Sequence, residues 1–264
     1  ATNGIGNWEE EGKVTEPRVL LSRLWLDYRS DVATTYLASR QPYGNPGSSG
    51  FHNPKGDYDF CEIELAYILS APELRPKLSA ELQRHLAEVL IVEEGYEPAY
   101  KAPRTLRLMY DTENHVLMRE ISRHLKLAWQ RGLPPGEQPT GLQAGYDAHK
   151  AALMDILAEH LRTGGYEYHA DPYSAYTMDA LLVLHNGTPD AAMRHRARQV
   201  MDELLISFAQ GHLHGRWNGP FRRRASRARE KQLNDHPLQN MLAVWRMKRN
   251  GTPISLARIP SDYH

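Results

Sequence analysis

Asp111-Thr112-Glu113-Asn114-His115-Val116-Leu117-Met118 opens a strongly amphipathic helix and sets an adjacent Asn–His pair in its first turn. Thr112 or Asp111 is a good N-cap, since a short side-chain oxygen accepts from the unpaired amides of a first turn. Beyond it Leu117, Met118, Ile121, Leu125 and Ala128 recur at helical spacing, with Arg119, Glu120, Arg123 and Lys126 on the other side. Asn114 and His115 therefore stand where a helix leaves a loop, a common place for polar groups that act on a ligand. The plainer reading is a capping Asn beside a surface His.

A second stretch, Gly164-Gly165-Tyr166-Glu167-Tyr168-His169-Ala170-Asp171-Pro172-Tyr173-Ser174-Ala175-Tyr176, leads into another helix. Asp171 as N-cap with Pro172 at the first helical position is a strong start signal. Tyr173 and Tyr176 are three apart and share a face. Two polar-aromatic clusters at the mouths of apolar helices could line one cleft. Tyrosines at this spacing are also ordinary packing residues.

The rest of the chain reads as helical. Pro17 opens a helix through Leu20, Leu21, Leu24, Trp25 and Tyr28 to about Leu37, and a breaker-rich loop follows over 41–56. A loop of that length is an ordered functional segment or a disordered connector. Further helices are expected near 58–71, 78–91, 114–131, 142–163, 172–186, 189–209 and 235–249, with irregular segments at 94–111, 132–140, 211–220 and a C-terminal tail at 250–264. Within 189–209, begun by Pro189, Met193, Ala197, Val200, Met201, Leu204, Leu205 and Phe208 form one core stripe, while Arg194, Arg196 and Arg198 form the wet face. Gly164-Gly165 stops the helix before it. No strong alternating β pattern is present, and a run of antiparallel hairpins suits a toroid or a solenoid.

Composition bounds the class. A chain of 264 residues, 41% hydrophobic and 24% charged, is an ordinary globular protein able to bury a substantial core. Formal net charge is zero, so no global field attracts nucleic acid. Cys61 is the only cysteine, which excludes an intrachain disulfide. No apolar run approaches the roughly 20 residues of a membrane span, and no signal peptide is evident in the chain.

Four motifs, GDYDF (56–60), TENHVLM (112–118), GYEYHADPYSAYT (165–177) and HGRWNGPFRRR (214–224), occur in this order. Together they resemble a group of bacterial proteins related to the heparinase II/III-like and alginate-lyase-like polysaccharide lyases, over roughly residues 50–245. The resemblance implies an all-α fold, an (α/α) toroid-like array of antiparallel helix hairpins in a single domain over 1–264. About eight long helices are too few for a full toroid, so the array is expected to be incomplete. It also implies β-elimination on a uronic-acid-containing polysaccharide, an anionic polysaccharide or oligosaccharide as partner, no cofactor, and a secreted or periplasmic setting.

That reaction removes the weakly acidic C5 proton beside a carboxylate and expels the O4-linked sugar. An amide donor neutralises the carboxylate as enolate character develops. A His or Tyr takes the proton, and a Tyr can return one to the leaving oxygen. In the family an Asn–His pair and a downstream Tyr play these parts. By resemblance Asn114 neutralises the carboxylate, His115 is base or carboxylate binder, and Tyr173 is base and acid, with His169 and Tyr176 as substitutes for Tyr173. Glu113, His169, Tyr176, Arg216, Trp217, Arg222 and Arg224 complete the expected substrate-binding set. Arg222-Arg223-Arg224 beside Trp217 and Phe221 suits a sulfated or carboxylated sugar, since guanidinium pairs bidentately with the anion. It could also contact nucleic-acid phosphate, or be a solvated loop with Arg227 and Lys231 as neighbours.

Metal signals are weak. His212-x-His214 is the only tight histidine spacing, and no metal is expected. Asp57 and Asp59 with Glu62 and Glu64 could bind calcium, but Gly56-Asp57 fits better as a helix cap. Two other classes compete with the lyase. One is a glycoside hydrolase on the same fold using Glu113 with Glu167 or Asp59. The other is a non-catalytic carbohydrate-binding or structural protein.

Overall fold

Leu117, Met118, Ile121 and Leu125 are buried, and so is most of the rest of their helix, charged residues included. The computed structural model describes residues 16–49, 53–93, 111–165, 167, 169–170, 173–213 and 216–217. Eight α-helices run through them: α1 Glu16–Trp25, α2 Ser30–Ala38, α3 Asp59–Ser70, α4 Ala80–His85, α5 Glu113–Arg131, α6 Leu142–Thr163, α7 Tyr173–Gly187 and α8 Ala191–Gln210. The expected helix at 235–249 and the tail at 250–264 lie outside the described residues. The only strands described are two residues each, His212–Leu213 paired antiparallel with Arg216–Trp217. The protein is all-α in its described part.

Helix α5 is the axis. It packs against α3, α6 and α7, while α8 covers α6 and α7, and α1 lies on α3. Gly187 marks a close approach between helices, where an added methyl would run into Ser70 Oγ and come within 3.3 Å of Leu125 Cδ2. Leucines and isoleucines of α1, α3, α5, α6, α7 and α8 share one core.

The sequence reading needs four corrections. The helix expected over 17–37 is broken at Leu26–Arg29, where Asp27 and Arg29 both take φ 52°. Lys77 makes the break tolerable, because its ammonium donates to the Leu24 carbonyl at the end of α1 and to Asp27, both at 2.7 Å. The helix expected over 78–91 turns π-helical at Leu86–Leu90, with Ile91 N donating to the Leu86 carbonyl. Asp190 rather than Pro189 sets the start of α8, its carboxylate accepting from Met193 N at 3.0 Å. The fourth correction is the largest: Arg119, Glu120, Arg123 and Lys126 do not face solvent.

Their side of α5 meets residues 91–93 and α6. Glu93 accepts from Arg119 Nε at 2.8 Å and Arg123 Nη2 at 3.1 Å, and Arg123 Nη1 reaches Glu120 at 3.0 Å. Lys126 Nζ donates to the Ile91 carbonyl, and His149 Nε2 from α6 meets the Glu120 carbonyl at 2.9 Å. Charges can sit this deep because each finds a partner of opposite sign or a backbone oxygen.

Candidate functional site

Two polar clusters flank the first turns of α5 on different faces. Glu113 and His115 stand two residues apart and so point about 200° apart around the axis. His115 looks toward α3, and Glu113 toward α6 and the segment before α7.

The His115 cluster is built by α3 and by the loop before it. Part of that loop is an ordered strap, folded over the start of α3. Asn45 N donates to the Lys55 carbonyl, and Asp57 N to the Gly47 carbonyl, both at 2.7 Å. Gly56 is where the two limbs touch, since a Cβ there would lie 2.6 Å from the Gly47 carbonyl oxygen. Asp57, at φ 69°, does not cap α3; its carboxylate accepts from Ser49 N and Ser49 Oγ. Asp111 likewise accepts from Ser48 N at 2.9 Å and from Ser48 Oγ. Asp59, fully buried, accepts from Gly47 N at 3.2 Å and pairs with His115 Nδ1 at 2.7 Å. The strap therefore ties its own amides to the carboxylates around His115.

Burial alone would depress the His115 pKa, but Asp59, helped by Asp111 and Asp57, outweighs it and raises the pKa above the ordinary histidine value. Hydrogen bonding of Nδ1 to Asp59 leaves Nε2 on the side of Asp57, 3.9 Å from its Oδ1. Asn114 is wholly buried. Its Oδ1 accepts from Thr112 Oγ1 at 2.6 Å, and its Nδ2 has no acceptor among the described residues. Thr112 is thus the N-cap by backbone position, yet its side chain serves Asn114 instead of the first turn.

Tyr173 opens α7 and is buried, with its ring edge-on to Tyr176 at 6.5 Å. Tyr176 stands edge-on to Phe60 at 4.6 Å, and Phe60 edge-on to His115 at 5.2 Å. An aromatic ladder therefore joins the predicted tyrosines to His115, with Phe60 between them. Asp171 and Pro172 lie outside the described residues.

Glu113 belongs to the second cluster. Its Oε1 accepts from Glu167 N at 2.5 Å. With Glu167, Glu203, His160, His169, Ser174, Thr177 and Ser207 it lines a cavity of about 20 Å³, enough for roughly one water. His169, at φ 48°, places Nε2 3.0 Å from Ser207 Oγ. Burial raises the Glu203 pKa and lowers that of His160. Outside this cavity lies an open pocket of about 480 Å³, sharing Glu113, His160, Gly164 and Gly165 with it.

His115, Tyr176 and Tyr173 are thus linked through Phe60 on one side of α5, and Glu113, Glu167 and His169 gather on another, while Asn114, about 100° round the axis from both Glu113 and His115, bonds Thr112. Arg216 and Trp217 fall in the short hairpin, whose side chains are outside the description, and Arg222 and Arg224 lie outside the described residues altogether. Asp57, Asp59, Glu62 and Glu64 do not converge: they serve Ser49, His115, Glu93 N and Arg18 respectively. Among the described residues no three His, Cys, Asp or Glu side chains are arranged to hold a metal ion. No helix described is long and apolar enough to cross a membrane.

Sequence reasoning missed the Asp59–His115 pair, although Asp59 lies inside the GDYDF motif. It also missed His160 and Glu203, whose only signal was a polar residue beside a buried stripe. No family model, no curated protein and no solved structure matches the chain.

Proposed function

We propose that this chain is a polysaccharide lyase of incomplete (α/α)-toroid architecture, cleaving a uronic-acid-containing polymer by β-elimination in a secreted or periplasmic setting. The observation that carries the reading is the first turn of α5. There a carboxylate-oriented histidine stands next to an asparagine whose buried amide has no acceptor among the described residues. An unmet buried donor is costly in a resting fold and useful where negative charge develops in a reaction. Asn114 Nδ2 donates to the uronate carboxylate. His115, held toward its protonated form by Asp59, adds positive charge at the same group and is better suited to that than to proton abstraction. Tyr173 removes the C5 proton and returns one to the departing O4. Substrate reaches Asn114 and His115 when the 45–49 strap lifts, exchanging with water its hydrogen bonds to Asp57, Asp59 and Asp111 and those it makes with Asn53, Lys55 and Tyr58.

The test is absorbance of the new C4–C5 double bond on heparan, chondroitin, alginate and ulvan. A signal lowered about 10²- to 10³-fold in Asn114→Ala, and abolished in Tyr173→Phe, is expected. A second reading is favoured by the meeting of Glu113 and Glu167 at one cavity: a hydrolase working through paired carboxylates. New reducing ends without absorbance, lost in Glu113→Gln and Glu167→Gln, would establish it. Neither signal on any polymer would leave a binding or structural member of the same fold.

A further inference from the structure

Trp25 and Leu182 are among the large apolar side chains left exposed in the described residues, at 48% and 37%. They belong to different helices but to one strip of surface. Leu21 and Trp25 follow Arg18 by three and seven residues on α1, and Leu182 and Asn186 follow Asp179 by the same steps on α7. Each trio therefore shares a helix face. Both helices pack on α3.

Two rungs cross α3 between them. At the first, Arg18 donates through Nε to Glu64 at 2.7 Å and through Nη2 to Asp179 at 2.9 Å. At the second, Trp25 stacks with Tyr67, ring centres 6.5 Å apart and planes 24° from parallel, and Asn186 lies beside the Tyr67 hydroxyl. The order of these contacts means that α1, α3 and α7 all run the same way. Seven residues at about 1.5 Å each set the rungs roughly 10 Å apart along α1 and α7. The first rung also meets the aromatic ladder, since the Arg18 guanidinium stands 5.9 Å over the ring of Tyr176.

The side chains of Arg18 and Asp179, 43% and 30% exposed, present donors and acceptors side by side. A hydroxyl both donates and accepts, so neighbouring sugar hydroxyls match this pair. The Trp25 indole and Leu182 supply apolar surface for the C–H face of a sugar ring. Arg18 is already matched by carboxylates, which leaves no positive charge over for a carboxylate or sulfate. A protein or lipid face laid here would desolvate the Arg18–Asp179 pair without replacing its water, whereas hydroxyls replace it. We propose that this strip binds uncharged sugar units of a polysaccharide, one ring on Trp25 and the hydroxyls of its neighbour on Arg18 and Asp179. The proposal deepens the lyase reading and rests on it for the polymer, whose sugars beyond the reacting uronate run from Tyr176 along α3.

The experiment follows the indole N–H resonance of Trp25, assigned by its loss in Trp25→Phe, as the whole chain is titrated with cellobiose and with N,N′-diacetylchitobiose. Both are uncharged disaccharides; glucuronic acid and cyclohexanol serve as the charged and the apolar comparisons. A saturable shift with at least one disaccharide is expected, about ten-fold weaker in Asp179→Ala while the amide spectrum elsewhere stays native. Trp25→Ala should weaken binding to a similar degree, read from the amides of Leu182 and Asn186. No shift with either disaccharide overturns the proposal, as does tighter binding of glucuronic acid or equal binding of cyclohexanol. An indole shift that tracks protein concentration without sugar would make the strip a contact between copies of the chain and also overturn it. Neither disaccharide contains a uronate, so the two readings fail separately. A flat ultraviolet trace on the polymers removes the lyase and leaves a Trp25 shift standing, while turnover without that shift does the reverse.

Discussion

At the scale of single residues, His115 and Asn114 make opposite demands on the fold, and this separates structural from functional roles. His115 is bound more tightly to its proton in the fold than in the unfolded chain, because Asp59 outweighs the effect of burial. Its contribution to stability is therefore full below the unfolded value of about 6.5 and fades as pH rises through the folded value. In Asp59→Asn the ring should titrate at lower pH than in the native protein, as read from the imidazole resonances. An unchanged titration would show that the pair does not control it. Asp59→Ala should cost about 3–5 kcal/mol in urea denaturation, since it strips the partner from a buried charge. Asn114→Ala should cost about 1–2 kcal/mol despite complete burial, because the Thr112 hydroxyl loses its acceptor while the amide Nδ2 has none to lose. A loss of several kcal/mol there would make Asn114 a structural residue and weaken the lyase reading.

At the scale of elements, α5 shows what a periodic pattern can and cannot reveal. Its apolar stripe was legible because Leu117, Ile121 and Leu125 recur at helical spacing and do pack on neighbouring helices. The burial of its other side was not legible, since a stripe of Arg, Glu and Lys reads the same whether it meets water or Glu93. Nothing local to α5 announces a partner 26 residues upstream of Arg119. The Asp59–His115 pair was hidden for the same reason, spanning 56 positions. Helix ends were easier, because capping is local: Gly164, at φ 69°, closes α6 where its sequence said it would. The charged side of α5 yields a contrast within one protein. Glu93→Ala leaves two buried guanidinium groups short of a carboxylate and should cost about 3–5 kcal/mol. Arg198→Ala breaks a solvent-exposed pair with Asp202 and should cost less than about 1 kcal/mol. Similar losses from both would mean that the Glu93 network is open to water.

At the scale of the whole molecule, buried titratable groups pull stability in opposite directions with pH. Burial depresses His124 to about 3, reinforced by the neighbouring His149, and depresses His149 to about 4. Both bind a proton on unfolding below about pH 6.5, so the stability they confer as neutral rings is present above that value and drains away as pH falls. Glu64 works the other way. Burial, reinforced by Asp179 and opposed by Arg18 at 2.7 Å, lifts it to about 7, so it releases a proton on unfolding and favours the fold as pH drops from 7 toward 4.5. The curve of the native protein is the sum of these slopes, and single variants should resolve it. The stability difference between native protein and His149→Gln should shrink by about 1.4 kcal/mol per pH unit between pH 6 and 4.5, the slope of one proton. The difference between native protein and Glu64→Gln should instead move in favour of the native protein over the same interval. Chemical denaturation at four or five pH values measures both. Parallel curves for either variant would mean that its group keeps an ordinary pKa inside the fold, and that water reaches the interior on which the helix packing depends.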